Sequence, residues 1–80
     1  MAVSDDDIAR ALMHLARARG TERSFCPSEA ARALSEDWRP LMPEVRRVAS
    51  RLPLVATQKG VRVRPEEARG PIRLRLGRDG

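Results

Sequence analysis

Two stretches near the C-terminal end alternate apolar residues and arginine strictly, Val61-Arg62-Val63-Arg64 and Ile72-Arg73-Leu74-Arg75-Leu76. Successive side chains of a strand point to opposite faces, so each stretch sorts Val, Ile and Leu to one side and Arg to the other. Placed in one small sheet, Arg62, Arg64, Arg73 and Arg75 share its outer face. Like charges close together across strands are destabilising. An anionic partner is the simplest relief, and nucleic acid is the plainest candidate.

The chain has 80 residues, the length of one domain, residues 1–80, with a large share of its surface exposed. The core is therefore small, with a net stability of about 5 kcal/mol. It is built from Leu, Val, Ile and Ala, since Phe25 and Trp38 are the only aromatic residues. No apolar run approaches the roughly 20 residues that span a bilayer. The acidic start Met1-Ala2-Val3-Ser4-Asp5-Asp6-Asp7 lacks the basic and apolar stretches of a signal peptide. Cys26 is alone and cannot form an internal disulfide, so a cytoplasmic, reducing location is the expectation.

The net charge of +5 is unevenly distributed. Residues 1–38 hold five arginines against seven acids, a balance of −2, whereas residues 39–80 hold ten arginines and Lys59 against four acids, a balance of +7. The positive field is thus concentrated in the second half. Arginine's planar fork suits phosphate and base edges better than the point charge of lysine.

The remaining pattern predicts helices before strands. Ser4 with Asp7 reads as a capping-box variant, and the Asp run favours the positive end of a helix dipole. Ile8, Leu12, Leu15 and Ala16 then recur on one helical face, and Gly20 stops a helix over about 5–19. Thr21–Phe25 has room for a connector or a single bridging strand. Cys26-Pro27-Ser28-Glu29 starts a second helix, about 27–34, and Ser35–Arg39 forms a turn containing Trp38, which reads as core. A third helix, about 43–52, carries Leu41, Val45, Val48, Ala49 and Leu52 on its apolar face and Arg46, Arg47, Ser50 and Arg51 opposite. Strands follow over about 54–58, 61–64 and 72–76, and 77–80 is expected to fray. Lys59-Gly60 reads as a turn or bulge, leaving the tip of the last hairpin at 59–60 or at 65–71. The second is favoured for its two prolines, glycine and two glutamates.

This order describes an α+β winged helix: a three-helix bundle with a helix-turn-helix and a small C-terminal antiparallel β-sheet, the wing. Several blocks also resemble a known family. Arg19-Gly20 with Ser24 through Arg32, Trp38 through Arg46, Thr57-Gln58-Lys59-Gly60 and Arg69 through Leu74 are similar to the small bacterial proteins grouped as domain of unknown function family 3253. The resemblance covers nearly the whole chain. It implies a winged-helix-like fold and brings no activity.

Two basic surfaces are candidates for binding. The face made by Arg46, Arg47 and Arg51 is either a recognition surface or an ordinary solvated face neutralised by Glu44 and neighbouring acids. Pro40, Leu41, Met42 and Pro43 crowd the helix start, where base-reading residues sit in a helix-turn-helix, which argues against base reading. The wing is the stronger candidate: Arg62, Arg64, Arg73 and Arg75 on one face, with Lys59 and Arg69 at the turns, suit a phosphate backbone or the minor groove. Alternatively these arginines stand in water or pair with Glu66, Glu67 and the acidic first helix.

Catalysis finds little footing. Cys26 at a helix start has the dipole that favours a thiolate, but the only histidine, His14, sits between Arg10 and Arg17, a poor setting for a base. The plainer reading is a small side chain at a helix entry, with a redox role left open. One Cys and one His do not make a zinc site, and no cofactor motif is present. The expectation is a non-enzymatic protein that binds duplex DNA mainly through backbone charge, as a regulator; the alternative is a module docking an acidic protein. No spare amphipathic helix for dimerisation is evident, and the oligomeric state stays open.

Overall fold

A computed structural model describes residues 3–77. Three helices precede a three-stranded antiparallel sheet, an α+β fold consistent with a winged-helix arrangement. The first helix, α1, spans Asp5–Arg19. Ser4 accepts a hydrogen bond from the Asp7 N–H at 3.1 Å, and Asp7 Oδ2 accepts from the Ser4 N–H at 3.1 Å, so two otherwise orphan donors are satisfied. Ile8, Leu12 and Ala16 are its buried stripe. After Gly20 the chain reaches Phe25, which exchanges two backbone hydrogen bonds with Leu74 at 2.7 and 2.8 Å, so of the two forms open to this segment it takes the single bridge.

The second helix, α2, spans Pro27–Leu34. Glu29 reaches back to accept from the Cys26 N–H at 3.0 Å and also from Arg19 at 2.7 Å, so one carboxylate caps α2 and ties it to the end of α1. A 3-10 turn at Arg39–Leu41 leads into the third helix, α3, Met42–Ala49. Pro40 and Pro43 both fall in first turns, where the missing N–H is no loss. Here the expected span of 43–52 is corrected. Beyond Ala49 the bonds tighten to Arg51 N–H on Val48 and Leu52 N–H on Ala49, because Pro53 has no N–H to continue the helix.

The strands are β1, Leu54–Gln58; β2, Val61–Arg62; and β3, Arg73–Leu76, in the order β2-β1-β3. Gln58 opposes Val61, so Lys59 and Gly60 form a two-residue hairpin turn, with φ of 53° and 82°. Positive φ at both centres is the primed turn whose twist matches that of paired strands. This overturns the preference for 65–71 as the projecting tip. That segment folds back on the body: Pro65 is buried, and the carbonyls of Ala68 and Gly70 are held by Arg46. Strand pairing also ends at Arg62, two residues short of the expected 61–64, although the Val63 N–H still bonds Ala56 at 3.0 Å.

The core lies between the helices and one sheet face. It joins Ile8, Leu12 and Ala16 to Phe25, Ala30, Ala31, Val45, Val48, Ala49, Ala56, Ile72 and Leu74. Gly77 is not loose, for its N–H donates to the Pro53 carbonyl at 2.9 Å. The rest of the tail expected to fray, 78–80, lies outside the described residues. Among the described residues no helix is long and apolar enough to cross a membrane.

Candidate nucleic-acid interface

The sheet register decides which arginines stand together. Thr57 opposes Arg62 on one side and Arg73 on the other, and Val55 opposes Arg75. Directly opposed residues share a face, so Arg62, Arg73 and Arg75 lie with Val55 and Thr57 on the face turned from the core. Arg62 and Arg73 flank Thr57, two strand spacings or about 10 Å apart. Arg64 falls beyond the end of β2 and makes a loose ion pair with Glu67 at 3.5 Å, so the sheet assembles three of the four expected arginines.

Of Arg46, Arg47 and Arg51, the two on α3 have been taken up by the fold. Arg46 Nη1 donates to the Ala68 carbonyl at 2.7 Å and Nη2 to the Gly70 carbonyl at 2.6 Å, clamping 65–71 against the helix. Arg47 holds both carboxylate oxygens of Asp5, at 2.7 and 3.1 Å, and Glu44 Oε2 at 2.6 and 3.0 Å. The Arg47 hydrogen bonds hold the Asp5 carboxyl below the usual carboxylate value, and the two acids in turn raise the Arg47 pKa. Of the three, only Arg51 makes no hydrogen bond or ion pair among the described residues, although its charge also helps to lower the Asp5 pKa. The neutralised reading of this face therefore holds for Arg46 and Arg47.

Arg73 is partly committed as well, donating to the Ser24 hydroxyl at 3.1 Å and the Ser24 carbonyl at 2.9 Å. Lys59, Arg62, Arg69 and Arg75 join Arg51 as site cations without a hydrogen bond or ion pair among the described residues. The first three are exposed and Arg75 is half-buried.

Residues 5–77 match a family described as Protein of unknown function (DUF3253). The chain belongs to this family. No curated protein matches it.

In this DUF3253 chain one feature departs from the sequence reading. Trp38 packs against the core but is only partly buried, with the guanidinium carbons of Arg32 and Arg39 at 4.6 and 4.7 Å from its ring centroid. Stacking of this kind keeps two cations on one aromatic surface. Arg32 lies on α2 and Arg39 in the following turn, so no helical or strand period links them to the ring.

Cys26 is half-buried at the start of α2, its Sγ accepting from the Ser28 hydroxyl at 3.0 Å. Glu29 is held below the usual carboxylate value chiefly by the Arg19 hydrogen bond, then by the Cys26 N–H. These contacts give Glu29 the role of a cap and a tie between helices.

Proposed function

We propose that this protein is a non-enzymatic, cytoplasmic winged-helix protein that binds duplex DNA mainly through phosphate charge, acting as a regulator. The observation that carries the reading is the division of its cations. Arg46 and Arg47 are held by loop carbonyls and by acids, while Lys59, Arg62, Arg69 and Arg75 cluster on the hairpin, sheet and adjoining loop without partners among the described residues. Arg51 extends that positive surface from the end of α3. In this reading α2 and α3 form the helix-turn-helix scaffold, and the wing supplies the contact. Base reading by α3 is disfavoured, because Pro43 occupies its first turn and Pro40 the 3-10 turn that leads into it.

The test is fluorescence anisotropy of a labelled duplex over a salt series. Each neutralised phosphate contributes about −0.9 to the slope of log affinity against log salt. Lys59, Arg51, Arg62, Arg69 and Arg75 together predict a slope of about −4.5. Undetectable binding at about 50 mM salt refutes the reading. An acidic protein that docks the same cations is then the surviving alternative, and its binding would be lost on neutralising them.

A further inference from the structure

The turn between α2 and α3 carries a patch that the wing does not use. Trp38, the one tryptophan of the chain, leaves part of its indole outside the core, and the guanidiniums of Arg32 and Arg39 lie over its ring. Both arginines are exposed, and their N–H donors make no hydrogen bond or ion pair among the described residues. Glu36 and Asp37 immediately precede the ring, are exposed, and leave their carboxylates equally unpaired among the described residues. Glu36 stands four residues after Arg32, a spacing that pairs charges on a helix, but α2 has ended at Leu34 and Ser35 is extended. Two charges of each sign thus stand beside one indole without neutralising one another.

We propose that this patch joins two copies of the chain in a two-fold dimer, with Trp38 of each copy near the axis and Asp37 of each against Arg39 of the other. The proposal does not rest on the DNA-binding reading. Three observations carry it. The charges of Arg32, Glu36, Asp37 and Arg39 sum to zero, so the patch offers no net attraction to a polyanion or to a basic protein. A surface that holds both signs complements a second copy of itself.

The second observation is the order of the charges. Acids precede Trp38 and Arg39 follows it. A two-fold axis at the ring sets the stretch before it in one copy against the stretch after it in the other, and an isologous contact makes each such pair twice. Asp37 then meets Arg39 on both sides of the axis. A two-fold through the outer sheet face would instead bring Arg62, Arg73 and Arg75 against their own copies.

Third, the anchor is of the kind that interfaces use. Tryptophan and arginine are enriched at the centres of protein interfaces and carry much of their binding energy. Both guanidiniums here are already held on the indole, so less of their freedom is left to lose on association. Apolar surface nearby in the chain comes from Pro40, which is exposed, and from Leu34 and Leu41, which pack on the core with part of their surface outside.

Sedimentation equilibrium of the full chain from about 1 µM to about 1 mM tests the proposal, a range that brackets small, transient interfaces. A monomer–dimer equilibrium is expected, with Trp38 emission moving to shorter wavelength as the dimer fills. Trp38→Ala raises the dissociation constant about tenfold or more. Asp37→Arg and Arg39→Asp each set like charges on both sides of the axis and raise it by about tenfold or more. Both positions are exposed, so the fold persists, which circular dichroism checks. An equimolar mixture of these two variants regains association, since each presents the charge that the other lacks, and the chain carrying both substitutions regains it alone. A chain that stays monomeric throughout the range overturns the proposal. A dimer that ignores Trp38→Ala and both charge reversals overturns it by placing the interface elsewhere. Variants that remain monomeric when mixed overturn the two-fold pairing. A poly-glutamate peptide or a single-stranded oligonucleotide that quenches Trp38 in a chain that stays monomeric overturns it in favour of a foreign partner.

Discussion

Arg46→Met removes a guanidinium that joins two parts of the fold 22 and 24 residues apart, and keeps most of the aliphatic stem. The two hydrogen bonds lost run from a charged donor to backbone carbonyls, one partly buried and one exposed. Charge-assisted bonds contribute about 1.5–3 kcal/mol when buried, and exposure reduces that, so a total loss of about 1–2 kcal/mol is expected. In a domain of this size the change lowers Tm by about 5–15 °C. It lowers the urea midpoint by about 1–2 M if the denaturant slope is about 1 kcal/mol/M. Arg46→Lys keeps the charge but cannot bridge both carbonyls from one planar fork, and is expected to lose most of the same stability. Neither variant changes the salt slope of DNA binding, because Arg46 is not available to phosphate. Backbone hydrogen exchange over 65–71 accelerates in both. A stable Arg46→Met protein whose salt slope falls by about 0.9 would refute the clamp and return Arg46 to the binding surface.

Three further substitutions test other joints of the structure. Phe25→Ala empties a fully buried site that bridges α1, the helical core and β3, at a cost of about 3–5 kcal/mol; circular dichroism should show a largely unfolded chain at 37 °C. Lys59→Asn puts a residue tolerant of left-handed φ at the turn. Its midpoint in urea should rise by a few tenths of a kcal/mol equivalent while the salt slope falls by about 0.9, and a fall in stability would contradict the primed turn. Acid titration tests two carboxylates that tie elements together, Asp5 through Arg47 and Glu29 as cap and tie of α2. Asp5 and Glu29 both titrate below their ordinary values, so their contribution is present above those values, 3.8 and 4.5, and is lost as pH falls through the lower folded ones. Stability should therefore decline below about pH 4.5, and Glu29→Gln should flatten part of that decline; an unaltered acid limb would remove Glu29 from the account.

What proved legible in the sequence was local in the chain. Ser4 and Asp7 sit three apart and make the capping box, and the stripe of Ile8, Leu12 and Ala16 needs only helical spacing. β1 was legible because its ends are marked by Pro53 and by Lys59-Gly60. The turn itself was harder to read, since Lys-Gly lacks the asparagine or aspartate that usually announces a primed hairpin. The 3-10 turn at Arg39–Leu41 carries no periodic pattern at all. The site was only half legible. Strand alternation placed Arg62, Arg73 and Arg75 together, but the fate of Arg46, Arg47 and Arg73 depended on partners 22 to 49 residues away. Long-range contacts of that kind leave no spacing to detect.

The arginine content has a double meaning that follows from what the chain lacks. With no asparagine, no tyrosine and a single glutamine, it has few neutral side chains able to reach a distant carbonyl. Arginine fills that role: Arg46 holds the Ala68 and Gly70 carbonyls, and Arg73 holds Ser24. A guanidinium used in this way keeps its charge yet loses the freedom to fork around a phosphate. Arg47 stays charged, but Asp5 and Glu44 both lie against it and offset its field. The net charge of the second half therefore overstates its binding capacity, and it does so unequally. Subtraction falls most heavily on α3, where Arg46 and Arg47 are both committed and only Arg51 in the following turn is left, and lightly on the hairpin and adjoining loop, where Lys59, Arg62 and Arg69 all remain. The same long-range contacts that brace the fold thus move the positive surface away from α3 and towards the hairpin.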